Sequence, residues 1–295
     1  LNFAPAIAAL ESMLGSKEPF DKAALPLAYD AIRGSMYENK YRGAHDEYPD
    51  LPRAVARALE RLQAMPDDPR PLEWAGDLPP VGIGWGTYGW KGDGLCLRAA
   101  IDGGAVLIDT AATYGYGRVE RALGSNGVRE RGTTWLATKF ARNHARRAPV
   151  LASLGRSLNA LQVERIDLFQ LHWPTPAVVP FEETLGAMLE AQRSGKARAL
   201  GLCNVSVDQL DLARRFAPIA AVQVRLNMYD LSALGPLMDY CGRNDIRLIA
   251  HSPCAQGATW KGGRPDFTWF TNRGFIPIPG SNDPEHILEN LNANV

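Results

Sequence analysis

The chain has 295 residues, 46% of them hydrophobic, which suits one large soluble domain or two small ones with a full core. Lys plus Arg and Asp plus Glu both number 32, so the formal charge is zero and bulk attraction to nucleic acid or a membrane surface is excluded. Four scattered cysteines (Cys96, Cys203, Cys241, Cys254) form no Cys-x-x-Cys pair, which argues against a disulfide framework or zinc site and for a reducing compartment.

Residues 1 to 75 differ from the rest. Ala4 to Leu14 and Leu51 to Met65 carry helical apolar spacing, the second with Pro52 in a tolerated first-turn position. Pro66-Asp67-Asp68-Pro69-Arg70-Pro71 reads as a linker. This segment is read as a helical extension that either packs on the main domain or acts as an arm docking a protein partner. The chain begins at Leu1 rather than Met, so a preceding segment is expected to have been removed or left out. No apolar run reaches the ~20 residues of a membrane span.

From Val81 a strand–turn–helix unit repeats. The strands are expected at Val81 to Trp85, Ala105 to Asp109, Thr134 to Phe140, Arg165 to His172, Ala197 to Cys203, Ala221 to Leu226, Ile246 to His251 and Phe275 to Ile278. Helices are expected from about Asp93 to Asp102, Arg118 to Leu123, Ala148 to Leu161, Phe181 to Ser194, Val207 to Phe216, Leu231 to Gly242 and Pro284 to Leu291. Eight such units predict an α/β fold of the (β/α)8, or TIM, barrel type over residues 76–295, with polar residues gathering after the strands. The seventh unit is the exception. Gly262, Gly263 and Pro265 leave only Asp266 to Arg273 for its helix, so a shortened crossover is expected.

The chemistry gathers at three successive strand ends. Ile108-Asp109-Thr110-Ala111-Ala112-Thr113-Tyr114-Gly115 delivers a carboxylate and then a phenol, Ala137-Thr138-Lys139-Phe140 an ammonium, and Gln170-Leu171-His172-Trp173-Pro174 an imidazole. A phenol with a pKa of about 10 exchanges protons poorly near neutrality. An ammonium bonded to its oxygen is expected to lower that value, and a carboxylate behind the ammonium keeps it charged and oriented. Asp109, Lys139 and Tyr114 can form that relay, with His172 bonding a substrate oxygen. Such a group suits protonation of a carbonyl oxygen as hydride arrives from a cofactor.

These segments resemble the catalytic segments of the aldo-keto reductases. Leu200-Gly201-Leu202-Cys203-Asn204, Val222-Gln223, Ile249-Ala250-His251-Ser252-Pro253 and Ile276-Pro277-Ile278-Pro279-Gly280-Ser281 follow in the family's order. The resemblance spans about residues 79 to 293 and implies a barrel reducing aldehydes or ketones with a nicotinamide cofactor, NADP(H) ahead of NAD(H), without a metal. It implies Tyr114 as proton donor, Lys139 and Asp109 as its tuners, and His172 as the group that orients the carbonyl. Asn204 and Gln223 match positions that hold the nicotinamide carboxamide, and His251 stands where a tyrosine usually stacks. Ser252, Pro253, Gln256 and Gly257 would cover the pyrophosphate. Gly280, Ser281, Asn282, His286, Glu289 and Asn290 would hold the adenosine phosphate end. Trp85 and Trp173 would wall the substrate. Cys203 replaces a common serine, and Asn282 and His286 stand where Lys or Arg usually grips the 2′-phosphate, which weakens that grip. The Leu171-His172-Trp173-Pro174 segment with Ser252 to Gly257 is similar to plant and algal plastid members, so the cytoplasm or the chloroplast stroma is the expected location.

Three other readings compete. Gly82-x-Gly84-x-Gly86 imitates a dinucleotide-fold fingerprint, but the loop Thr87 to Gly94 stands where that fold starts a helix. His172, His251 and Asp109 suggest a metal hydrolase, but the segment after the first strand offers no further ligand. A barrel retained as a binding or assembly subunit, with weak or no catalysis, is the third. The basic run Arg142 to Arg147 is read as a solvated loop.

Overall fold

The computed structural model of the chain describes residues 76–175, 179–227, 230–231, 235–255 and 266–293. The extension and linker read over residues 1 to 75 lie outside them, as do Gln256 and Gly257.

Strands and helices alternate: β1 Trp85–Gly86, α1 Gly94–Asp102, β2 Leu107–Asp109, α2 Arg118–Ser125, β3 Trp135–Phe140, α3 Arg147–Leu161, β4 Ile166–Leu171 and α4 Phe181–Arg193. The second half adds β5 Ala197–Cys203, α5 Val207–Arg214, β6 Ile219–Arg225, α6 Pro236–Arg243, β7 Arg247–His251, α7 Thr268–Thr271, β8 Ile276–Ile278 and α8 Pro284–Leu291. All neighbouring strands pair in parallel, in sequence order. Gly86 and Gly280 bridge the first and last strands, and Gly84 N and Gly86 N donate to Pro277 O and Pro279 O at 2.9 and 3.0 Å, closing the barrel.

That closure explains the glycine run of the first strand. A Cβ on Gly84 would stand 2.8 Å from Leu107 O, and one on Gly86 2.8 Å from Ile278 O. The glycines let two backbones approach each other, a role unconnected with phosphate binding. Strand β1 is shorter than expected, although Val106 N still donates to Ile83 O at 3.0 Å ahead of it. Among the described residues the seventh unit has a helical segment of four residues, Thr268–Thr271.

The period of two along each strand sorts side chains into two cores. Leu107, Trp135, Ala137, Leu168, Ala199, Ala221, Ile249 and Ile276 form a small cluster inside the barrel. Phe140, Phe169, Leu136 and Leu202 join the larger cluster between strands and helices. Continued towards the strand C-termini, the inward parity reaches Asp109, Lys139, Gln170, Cys203, Gln223 and His251. The barrel is therefore plugged by apolar groups below and polar ones above.

Local signals seat the helices. Asp93 and Asp283 cap α1 and α8 through bonds from Leu95 N and Glu285 N, and Ser206 with Gln209 forms a capping box on α5. Buried Glu120 on α2 accepts from Thr138 Oγ1 at 2.6 Å, which pins the strand next to Lys139. The basic run after β3 is solvated in part: Arg142 is buried, while Arg146 and Arg147 are exposed and pair with Glu183 and Glu190 of α4.

Candidate active site

At the C-terminal rim, Lys139 Nζ lies 2.6 Å from Asp109 Oδ2, 2.9 Å from Thr110 O and 3.1 Å from Tyr114 Oη. An ammonium has three protons, and here each has an acceptor. Because Lys139 can only donate, Tyr114 Oη accepts from it, and the phenolic proton must point elsewhere. Tyr114 reaches this place through a short 3-10 segment whose Gly115, Tyr116 and Gly117 have φ of 55°, 57° and 79°. Two of these three left-handed positions are glycine, the residue that adopts them without strain.

His172 follows β4. Its ring stands edge-on to Tyr114 with centroids 5.8 Å apart, and its Nδ1 is 3.5 Å from Thr113 Oγ1. The four residues read as catalytic thus meet at one rim. Among the described residues no group of three or more His, Cys, Asp or Glu could hold a metal.

The electrostatics correct one expectation. Burial pushes the Tyr114 phenol above its usual pKa, the Lys139 ammonium opposes this without overcoming it, and Asp109 adds to the rise. Removing the phenol from water costs its anion more than the ammonium returns, and the Asp109 carboxylate adds to that cost. Tyr114 is therefore held as a protonated acid. Burial also opposes the charge on Lys139, but Asp109, Tyr114 and Cys203 together hold its pKa above the usual value. Burial, Lys139 and His251 push His172 down to about 3, and burial and Lys139 push His251 down to about 4. Both imidazoles are neutral near pH 7.

The remaining expected residues divide. Asn204, with φ 58°, donates from Nδ2 to His172 O at 3.2 Å, and its Oδ1 is 3.3 Å from His251 Nε2. His251 Nδ1 is 3.1 Å from Ser252 Oγ, and Pro253 is buried in the turn that follows. Gln223 faces Asp109, with Nε2 2.8 Å from Oδ1, so its NH2 end is committed to the relay. Gly280 serves barrel closure, and Ser281 Oγ accepts from Asp283 N at 3.0 Å. Asn282 does not wait for a phosphate: it accepts from Lys91 N at 2.8 Å and donates to Gly89 O at 3.1 Å, holding the loop after β1. His286 Nδ1 lies 3.6 Å from Asp283 Oδ2. Glu289 is half-buried, while Asn290 is buried with its Oδ1 lacking a hydrogen-bond partner.

The aromatic walls need a correction. Trp85 is 1% exposed and packs edge-on against Trp90 in the core, since β1 parity sends it outward between strand and helices. Tyr88, missed in the sequence, stands edge-on to Tyr114 at 5.2 Å and is 80% exposed. Its signal was its place in the loop directly after the first strand. Trp173 is at the rim, 42% exposed. Gln170 was also missed, although β4 parity points it inward with Leu168.

A closed eight-stranded parallel barrel with a buried Lys–Asp pair against a tyrosine at its C-terminal rim defines the class: a (β/α)8 barrel with a polar site at that rim. Comparison with known proteins narrows this. The Aldo/keto reductase family pattern matches residues 95–273. The aldo-keto reductase YhdN of Bacillus subtilis is 36% identical over 187 residues, 60% of this chain and 56% of that protein's length. The 2,5-diketo-D-gluconic acid reductase B of a Corynebacterium is 31% identical over 230 residues, 71% of this chain and 82% of that one. Among solved structures, the thermostable aldo-keto reductase Tm1743, in complex with the inhibitor epalrestat, superposes with a TM-score of 0.66 at 29% identity, covering 74% of this chain and 93% of its own. A Klebsiella pneumoniae aldo/keto reductase in complex with NADP and acetate gives 0.64 at 26%, covering 72% and 85%. The chain belongs to the aldo/keto reductase family.

Proposed function

We propose that this chain reduces the carbonyl group of a small aldehyde or ketone, with Tyr114 as proton donor and a nicotinamide cofactor, NADP(H) ahead of NAD(H), as hydride source. The observation that carries the reading is the fully engaged Lys139 ammonium: its bond to Tyr114 Oη leaves the phenolic proton free for a substrate oxygen. Asp109 keeps Lys139 charged and aimed. Neutral His172, beside Tyr114, donates a hydrogen bond to the same substrate oxygen and adds no competing charge. Tyr88 and Trp173 flank the rim with apolar surface suited to a small organic carbonyl.

The dinucleotide supplies hydride when bound. Asn204, at the end of β5, and His251 and Ser252, at the end of β7, offer it amide, imidazole and hydroxyl groups. The buried, partnerless Oδ1 of Asn290 offers an acceptor for an amino group such as that of adenine. The Klebsiella relative is described with NADP, which supports the choice of cofactor. With Asn282 committed to the loop after β1 and His286 beside the Asp283 carboxylate, the preference for the 2′-phosphate is small.

Fluorescence titration with NADPH and with NADH, followed by turnover of Tyr114→Phe, tests the proposal. Quenching at micromolar cofactor is expected, and Tyr114→Phe should abolish carbonyl reduction with cofactor affinity nearly unchanged. Retained turnover excludes Tyr114 as the acid. No quenching by either dinucleotide favours the other reading, a barrel serving as a binding or assembly subunit, to which the weak phosphate grip points.

A further inference from the structure

The floor of the barrel, at the opposite end of the strands from the rim, has an open cavity of about 390 Å³. It lies between the turn that leads from α6 into β7 and the turn that leads from α7 into β8. Strand β7 begins at Arg247 and ends at His251, so about 13 Å of strand separates the cavity from the rim. Both turns pass through a left-handed residue, Asp245 with φ 53° and Gly274 with φ 75°. Since β7 and β8 pair side by side, with Ile249 beside Ile276, the two turns are neighbours and the cavity opens between them.

Leu78, Met238 and Phe275 give this cavity apolar walls, and Arg247, Arg273 and Asp245 give it charge. Arg247 is half-buried; its Nε donates to Pro79 O at 3.0 Å and its Nη1 to Gly274 O at 3.2 Å. Those bonds use two of the five N–H groups and leave three without an acceptor among the described residues. The backbone carbonyls fix where the guanidinium lies but do not neutralise it. Burial lowers the pKa of Arg247, and Asp245 opposes this without forming an ion pair with it. A cation drawn partly out of water without a counter-ion is costly, and an anion placed beside it offsets that cost. Arg273 is exposed. Its guanidinium stands over the Trp269 ring, 4.4 Å from the centroid, and its Nη1 donates to Trp269 O at 3.0 Å.

We infer that this cavity is a second ligand site, which takes a small organic monocarboxylate: the carboxylate pairs with Arg247 and Arg273, and the apolar body lies against Leu78, Met238 and Phe275. A planar carboxylate accepts two parallel N–H bonds from one guanidinium fork, which suits two arginines already held by backbone carbonyls and a ring. Two cations against the single Asp245 carboxylate leave the cavity positive. Asp245 also sets a limit, because it repels a second acidic group on the ligand. The volume falls at the small end of the range for small-molecule sites, which fits an acid of about ten non-hydrogen atoms rather than a dinucleotide.

Methyl NMR on the full chain, labelled at its methionine methyl groups, tests this, with the Met238 signal assigned through Met238→Leu. The probes are octanoate, octan-1-ol and acetate. Octanoate is expected to shift the Met238 signal with sub-millimolar affinity. Octan-1-ol, which lacks the charge, and acetate, which lacks the apolar body, should bind about tenfold more weakly or worse. Arg247→Leu and Arg273→Leu should each lower octanoate affinity about tenfold. Should Arg247→Leu fail to fold by circular dichroism, Arg247→Lys takes its place; it keeps the charge, loses the fork, and should lower affinity about threefold. Tyr114→Phe should leave the shift as it is, which separates this cavity from carboxylate binding at the rim. No shift at about 10 mM octanoate overturns the inference. So does an equal response to octan-1-ol, which would make the cavity an apolar surface only, unchanged affinity in either arginine variant, or a shift that disappears in Tyr114→Phe.

Discussion

Replacing Lys139 by Met separates what this pair does for stability from what it does for chemistry. Lys139 and Asp109 are both essentially buried, with nitrogen and oxygen 2.6 Å apart. At that separation the gross attraction is about 6 kcal/mol for an effective dielectric constant of about 20. Most of that sum offsets the desolvation of two ions, so the pair as a whole adds little to stability. Removing the cation alone is different. It strands a carboxylate whose remaining partners are the Gln223 amide and a long Gln170 contact. Lys139→Met is therefore expected to lower unfolding free energy by about 3–5 kcal/mol, measured by urea denaturation near pH 7. The double variant Lys139→Met with Asp109→Leu removes the stranded charge and should recover most of that loss. Activity follows another pattern: both variants lose carbonyl reduction, because neither can hold Tyr114. A single variant destabilised by less than about 1 kcal/mol, or a double variant no more stable than the single, would refute the account of a buried pair whose breaking costs more than its absence.

Three further outcomes follow from the same structure. With His172 at about 3 and His251 at about 4, neither imidazole at the rim titrates near neutrality, so reduction should be flat from about pH 5 to 8, and a limb centred near 6.5 in kcat/KM would contradict the burial of both rings. These two depressed values also make stability fall as pH drops from about 6.5, where the unfolded imidazoles begin to charge, towards the folded values, which acid unfolding curves can follow. Gly86→Ala should cost about 1–3 kcal/mol by overpacking, because its Cβ would press on Ile278 O at 2.8 Å, and a denaturation midpoint equal to wild type would refute the closure role assigned to that glycine.

Much of the barrel and four of its rim residues were legible in the chain. Strand and helix periods are local, so eight units and their order appear in the sequence, and β5 and α8 match their expected bounds residue for residue. Asp109, Tyr114, Lys139 and His172 were legible because each follows or ends an apolar strand run, and all strands of such a barrel point the same way. What the sequence left open depends on contacts between distant segments. The Gln223 and Gln170 bonds to Asp109 join residues 114 and 61 positions apart, and only the stagger of neighbouring strands decides that their amides meet one carboxylate. Trp85 and Tyr88 look equivalent on paper; the pleat of β1 buries one, and the loop beyond it presents the other. The direction of the Tyr114 shift is likewise tertiary, because it is a contest between burial and one ammonium, and the chain alone states neither the depth of the phenol nor how close Asp109 stands to it.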